Sequence, residues 1–139
     1  MALERTLCII KPDAVEKGKQ GAILQRLQEE GFKILGLRQT QLARQTAEGF
    51  YAIHRERPFF KELCTFMTRG PVVVIGLERE NAVLHLRNVI GATDPAKAAD
   101  GTIRKQFGSS LGENAVHGSD SAENGQIEVA YYFQGAELL

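Results

Sequence analysis

Cysteine is scarce in this sequence, neither sign of charge is in excess, and no long apolar run occurs. Each shortage excludes a class. Only Cys8 and Cys64 are present, each within apolar sequence. They read as buried free thiols of a reducing cytoplasm, while their spacing alone leaves a bridge open. Seventeen Lys and Arg residues balance seventeen Asp and Glu residues, a formal net charge of zero. That argues against a dedicated nucleic-acid or membrane-surface binder, though a local basic cluster fits within a neutral total. No apolar run approaches the roughly eighteen residues that a membrane helix needs, so no membrane partner is expected. Met1-Ala2-Leu3-Glu4-Arg5-Thr6 runs straight into a strand without the charged-then-apolar design of a signal peptide. A cytoplasmic location is the expectation.

Common site motifs are missing too. Gly18-Lys19 lacks both the upstream glycine and the following Ser or Thr of a phosphate loop. No G-x-G-x-x-G follows the first strand, and H-E-x-x-H, C-x-x-C and the nucleophile elbow are absent. Any phosphate chemistry must therefore use side chains and scattered backbone. No internal repeat, low-complexity tract or linker appears. What remains is an ordinary globular composition, 43% hydrophobic and 24% charged over 139 residues. It is read as one domain spanning residues 1–139, long enough to bury a real core.

Along the chain, Thr6 to Ile10 is a short apolar run that predicts a central strand, ended by Lys11 and Pro12. Lys11 thus emerges at a strand's end, where a charged head can reach a pocket or simply be solvated. Gly21 to Glu30 predicts a helix with Ile23, Leu24 and Leu27 on one face and Gly31 beyond its end. Phe32 to Gln39 reads as a second strand with Phe32 and Ile34 inward, Leu35 a further candidate for that side, and Lys33 outward. Thr46 is placed to cap a short helix to about His54, and Arg57-Pro58-Phe59 to open another. Phe59, Phe60, Leu63, Phe66 and Met67 follow at helical spacing, most of them expected in the core. Val72 to Ile75, within a strand from Pro71 to Leu77, is the strongest buried-strand signal. Glu80 to Ile90 predicts an amphipathic helix with Ala82, Val83, Leu86, Val89 and Ile90 inward. A loop from Gly91 to Gly101 precedes a helical start at Thr102. On the last helix Ile127, Ala130 and Tyr131 are read as the buried side, despite Gly125, which costs a helix about 1 kcal/mol against alanine. The order predicts an α+β fold: a ferredoxin-like split βαβ sandwich, a four-stranded antiparallel sheet covered by helices.

The stretch that organises the chain is Asn114-Ala115-Val116-His117-Gly118-Ser119-Asp120-Ser121. A β-prone segment delivers a histidine, glycine permits a tight turn, and Asp120 with Glu123 fits a capping box opening a helix. Imidazole can be both a neutral nucleophile and a proton carrier near neutral pH. Local pattern alone leaves open whether His117 reacts or is a turn histidine bonded to its neighbours.

That block, together with Ile10-Lys11-Pro12-Asp13-Ala14, Arg57-Pro58-Phe59-Phe60, Gly70-Pro71-Val72, Gly91-Ala92-Thr93-Asp94-Pro95 and Gly101-Thr102-Ile103-Arg104, resembles the nucleoside diphosphate kinases in order and spacing. The resemblance covers essentially the whole chain. It implies transfer of the γ-phosphate of a nucleoside triphosphate to a nucleoside diphosphate by a ping-pong course. His117 would be the phosphorylated nucleophile, with Mg²⁺ carried by the nucleotide phosphates and not by a protein metal site. Lys11, Arg87, Thr93 and Arg104 would receive the phosphates, and Asn114 with Lys11 the ribose. Phe59 would stack on the base with Leu111 on its other face, a contact that reads no base edge and implies broad acceptance. Glu128 would orient the imidazole with Ser119 in the same cluster, and Tyr51 would stand near the nucleophile. Read without the resemblance, Arg87 and Arg104 are ordinary surface arginines, Glu128 a solvated carboxylate and Tyr51 half-buried packing. His54 and His85 match no catalytic position and read as surface histidines. Glu113 stands where eukaryotic members carry a basic residue, which favours a bacterial origin. The family also implies a homo-oligomer, a tetramer favoured over a hexamer or dimer. Other classes on the same fold are a nucleotide- or DNA-binding regulator, its nucleic-acid binding weak at most given the neutral charge, and a phosphohistidine-dependent protein kinase.

Overall fold

The computed structural model describes residues 3–139. Its strands are β1 (Leu3–Ile10), β2 (Lys33–Thr40), β3 (Val72–Glu80) and β4 (Val116–Gly118). Its helices are α1 (Pro12–Glu16), α2 (Gln20–Glu29), α3 (Arg44–Phe50), α4 (Phe60–Met67), α5 (Ala82–Ile90), α6 (Ile103–Phe107) and α7 (Ala122–Tyr132). Short 3₁₀ turns occupy Ala52–His54, Pro95–Lys97 and Gly135–Glu137. The strands form one antiparallel sheet in the order β2-β3-β1-β4, the α+β arrangement expected.

Strand alternation divides the apolar residues between two layers. Cys8 and Ile10 of β1 and Val73, Ile75 and Leu77 of β3 face a layer that includes Ile23 and Leu27 of α2, Leu86 and Ile90 of α5, and Ile103 of α6. Leu7 and Ile9 with Val72 and Val74 face the other, which holds Tyr51, Phe60, Cys64, Met67, Val129 and Tyr132. Both cysteines are free and buried, as expected.

Several local expectations are corrected. Pro12 does more than end β1: it starts α1, because its fixed φ suits the first helical position. Thr46 lies inside α3, whose N-cap position is held by Ala43, and Pro58 sits in the turn before α4, which begins only at Phe60. The Asp120–Glu123 capping box does not form. Ser121 caps α7 by accepting from Asn124 N, while Asp120 Oδ1 accepts from the Asn124 side chain. The buried face of α7 is Gly125, Val129 and Tyr132, and Ile127, Ala130 and Tyr131 are exposed.

The reason is backbone proximity. A Cβ on Gly125 would lie 2.1 Å from the carbonyl oxygen of Arg5, so glycine lets α7 rest directly on β1. That contact rotates the apolar residues 127 and 131 outward and turns Glu128 toward the sheet edge. Gly91 serves the other layer: at φ +92° it ends α5, and a Cβ there would meet Thr102 at 2.6 Å. His85 is also not a plain surface histidine, since its Nε2 is 2.9 Å from Glu30 Oε1 and its ring lies against Phe32.

Candidate active site at the β4 edge

His117 lies on β4 directly opposite Ile9 of β1. Cross-strand partners share a face, so His117 sits on the α7 side and its neighbours Val116 and Gly118 on the α5 side. The site therefore straddles the sheet's edge.

On the α7 side a chain of hydrogen bonds has its directions fixed from the backbone. Leu7 N–H donates to Ser119 Oγ at 3.0 Å. The hydroxyl, its lone pair engaged, donates its one hydrogen to Glu128 Oε1 at 2.7 Å. His117 Nε2 lies 2.8 Å from that same oxygen. An ionised carboxylate only accepts, so Nε2 carries the hydrogen and the lone pair of the neutral ring falls on Nδ1. Among the described residues Nδ1 has no hydrogen-bond partner. The ring's orientation is held further by Phe50, whose ring meets it edge-on at 5.4 Å. Phe50 went unnoticed in the sequence, because an aromatic at the end of a short helix carries no local sign of what it touches. Tyr51 is buried, edge-on to Phe50 at 4.9 Å, and its hydroxyl has no hydrogen-bond partner. Burial, with Tyr132 and Glu128 nearby, pushes that phenol well above its ordinary value.

On the other side lies a cleft of about 470 Å³ lined by Arg87, Thr93, Thr102, Arg104 and Gly118, among others. Arg104 is fixed by its own donors: Nη2 to Val116 O at 2.8 Å and Nη1 to Gly91 O at 3.2 Å. Its charge is thus tied to the residue preceding His117. Burial lowers its pKa to about 10, with Arg87 adding to the effect. Arg87 and Thr93 are exposed to the cleft's solvent.

Lys11 and Asn114 meet across the end of β1, Lys11 Nζ donating to Asn114 Oδ1 at 2.9 Å. Asn114 Nδ2 donates to Thr93 O at 3.0 Å, which joins this pair to the cleft's loop. Burial, and then Arg104, bring the Lys11 ammonium down to about 8, with Asp13 acting in the opposite sense. Phe59 and Leu111 stand 47% and 61% exposed, open to a flat ligand, with the Phe59 ring 5.4 Å from that of His54. The structure thus brings together His117, Glu128 and Ser119 on one side of β4, Arg87, Thr93 and Arg104 on the other, and Lys11 with Asn114 beside them.

A neutral imidazole nitrogen held by a carboxylate beside several cations suits attack on an anionic phosphorus centre, where position and positive charge matter most.

Comparison with known proteins points the same way. A family model described as Nucleoside diphosphate kinase matches residues 4–138. The chain is 60% identical over 138 residues to the nucleoside diphosphate kinase of Sorangium cellulosum, covering 99% of this chain and 96% of that one. It is 56% identical over 138 residues to that of Myxococcus xanthus, covering 99% and 95%. Among solved structures, the Aquifex aeolicus nucleoside diphosphate kinase superposes with a TM-score of 0.97 at 49% identity, over 99% of this chain and 100% of that one. A halophilic nucleoside diphosphate kinase from Halobacterium salinarum, in complex with CDP, gives a TM-score of 0.94 at 38% identity, over 99% and 92%.

Proposed function

This chain belongs to the nucleoside diphosphate kinase family, and from that premise we propose that His117 Nδ1 is the atom that carries the phosphoryl group. The activity is transfer of the γ-phosphate of a nucleoside triphosphate to a nucleoside diphosphate by a ping-pong course, with broad acceptance of bases.

In the first half-reaction the Nδ1 lone pair attacks the γ-phosphorus. An N–P bond forms, the bond to the β-phosphate oxygen breaks, and the diphosphate leaves with that electron pair. The Nε2 hydrogen stays on Glu128's side, so the ring's growing positive charge faces a carboxylate. The second half reverses these steps with a different diphosphate. One set of cations serves both, because donor and acceptor occupy the same cleft in turn. Arg104 and Arg87 offset charge on the transferring group, Thr93 and Lys11 contact the phosphates, and Asn114 with Lys11 holds the ribose. Tyr51 closes the buried side. Phe59 and Leu111 take the base between flat surfaces.

Mg²⁺ would enter with the nucleotide. Among the described residues no group of three or more His, Cys, Asp or Glu is placed to hold a metal ion. The cleft's own donors are guanidinium and hydroxyl groups, which suit an ion that stays on phosphate oxygens. When bound, it would offset part of the phosphate charge alongside Arg87 and Arg104. The homo-oligomeric state and a cytoplasmic location are part of the same reading, the latter supported by two buried free thiols. Among the described residues no helix is long and apolar enough to cross a membrane.

The observation that carries the reading is the Leu7–Ser119–Glu128–His117 chain, which leaves Nδ1 without a partner at the β4 edge. Incubation with γ-labelled ATP should give an acid-labile, alkali-stable label on His117 that chases onto added diphosphate. His117→Ala should lose the label and the exchange while still binding nucleotide. Substantial exchange in that variant sinks the assignment.

A further inference from the structure

We infer that Asp13 is a positioning residue for this reaction: its buried carboxylate holds Ala115 in the left-handed backbone conformation from which Asn114 and His117 are presented. The inference rests on the reading of His117 as the phosphoryl carrier.

Asp13 is only 2% exposed, on a five-residue helix. An acidic residue in a first helical turn usually serves from the surface, where its charge stays solvated. Burying a carboxylate is costly unless it is paired or hydrogen-bonded, so this one needs a reason to be inside. Its Oδ2 accepts from Ala115 N–H at 3.1 Å, across 102 positions of sequence. Ala115 has φ +74°, and it and Asn81 are the non-glycine residues with positive φ among those described. Alanine rarely adopts that conformation, because its Cβ crowds the following carbonyl. Its carbonyl is held as well, accepting from Lys11 N–H at 2.8 Å. Both polar backbone groups of Ala115 are thus gripped by the segment Lys11–Asp13.

The grip sits in a telling place. Ala115 is fully buried between Asn114, which bonds Lys11 and the Thr93 carbonyl, and Val116, whose carbonyl receives Arg104. Releasing it would let the backbone relax at the residue that fixes Asn114 relative to His117. Asp13 Oδ1 makes no hydrogen bond, so the long-range hydrogen bond of this carboxylate is the one to the Ala115 amide, beside its attraction to the Lys11 ammonium. A misplacement of about 1 Å in such a constellation can cost a hundredfold in rate.

Three variants of the full-length chain test this: Asp13→Asn, Asp13→Ala, and Asp13→Ala combined with Ala115→Gly. Single-turnover labelling of His117 and steady-state kcat and KM are read in each, with hydrogen exchange at residue 115. Asp13→Asn should lower kcat about tenfold with KM changed far less, since a neutral amide is a weaker acceptor, and Ala115 exchange should speed up. Asp13→Ala should lose more. Adding Ala115→Gly should restore at least severalfold, because glycine takes positive φ unaided. Wild-type kcat with unchanged exchange in Asp13→Asn, or no recovery in a folded double variant, overturns the inference. If Asp13→Ala does not fold, Asp13→Asn decides. Failure of wild-type protein to label His117 instead defeats the carrier reading, and the exchange measurement in Asp13→Asn still tests the grip.

Discussion

One oxygen decides which nitrogen of His117 carries the hydrogen. Glu128 Oε1 accepts from Ser119 Oγ and His117 Nε2 together, and the Ser119 hydroxyl is oriented by the Leu7 amide. Glu128→Ala should therefore let the imidazole tautomers mix and slow His117 labelling about a hundredfold, with both tautomers visible by ¹⁵N NMR. Ser119→Ala should also lower stability by about 1–3 kcal/mol, since it leaves the buried Leu7 N–H without its acceptor; a denaturant midpoint checks this. Lys11 supplies a pH prediction. Its ammonium, lowered to about 8, loses its proton before the Arg104 guanidinium at about 10. As pH rises through the first value the cation disappears, so kcat/KM should fall about tenfold per unit above pH 8. Lys11→Arg should flatten that limb even where it lowers the maximum. His117 and Ser119 stood in one specific block of sequence, while Glu128, a solvated carboxylate by local pattern, was singled out by the resemblance alone. Phe50 and Asp13 were not legible, because what each touches is decided by strands and loops far away in the chain.

At the scale of elements, most helices and strands follow from period and punctuation, and the misses share a cause. The apolar residues of α7 outside its contact line, Ile127, Ala130 and Tyr131, suggest a buried face by composition. The line actually chosen runs through Gly125, where the backbone of β1 comes closest. Tyr131 finds a local partner instead, donating to Thr46 O at 2.7 Å. A glycine that propensity treats as a cost is required by packing. Gly125→Ala should gain about 1 kcal/mol of helix propensity and lose more, because the new Cβ meets carbonyl and Cα atoms that cannot swing away. Thermal melting should show a net drop. His117 labelling should slow too, since α7 carries Glu128. The α1 helix escaped notice for a related reason: Pro12 ends a strand and begins a helix by the same missing N–H and fixed φ, and only the second role needs the residues beyond it.

At the scale of the molecule, a four-stranded antiparallel sheet covered by helices was readable from the sequence of apolar runs and helical patterns, whereas the order β2-β3-β1-β4 was not, because which strands become neighbours is decided by packing between distant segments. The margins of the sheet differ. The β4 margin is blunted by its three-residue length, whereas β2 presents a longer edge, engaged at Leu35 O by the Leu139 amide, with Leu37 49% exposed. Long edges invite pairing with another chain. Light scattering should therefore give a mass above the 15.3 kDa of one chain, with a melting temperature that rises with protein concentration. Leu37→Lys should lower that mass and weaken the concentration dependence. The pairing order also bears on how copies behave together. With His117 on the β4 margin and β2 on the opposite one, chains joined along β2 would carry their His117 side chains on outward rims. On the proposed role of His117 each copy would then work as an independent reactor: saturation should be hyperbolic with a Hill coefficient of about one, and poisoning a fraction of the copies should remove that same fraction of the output.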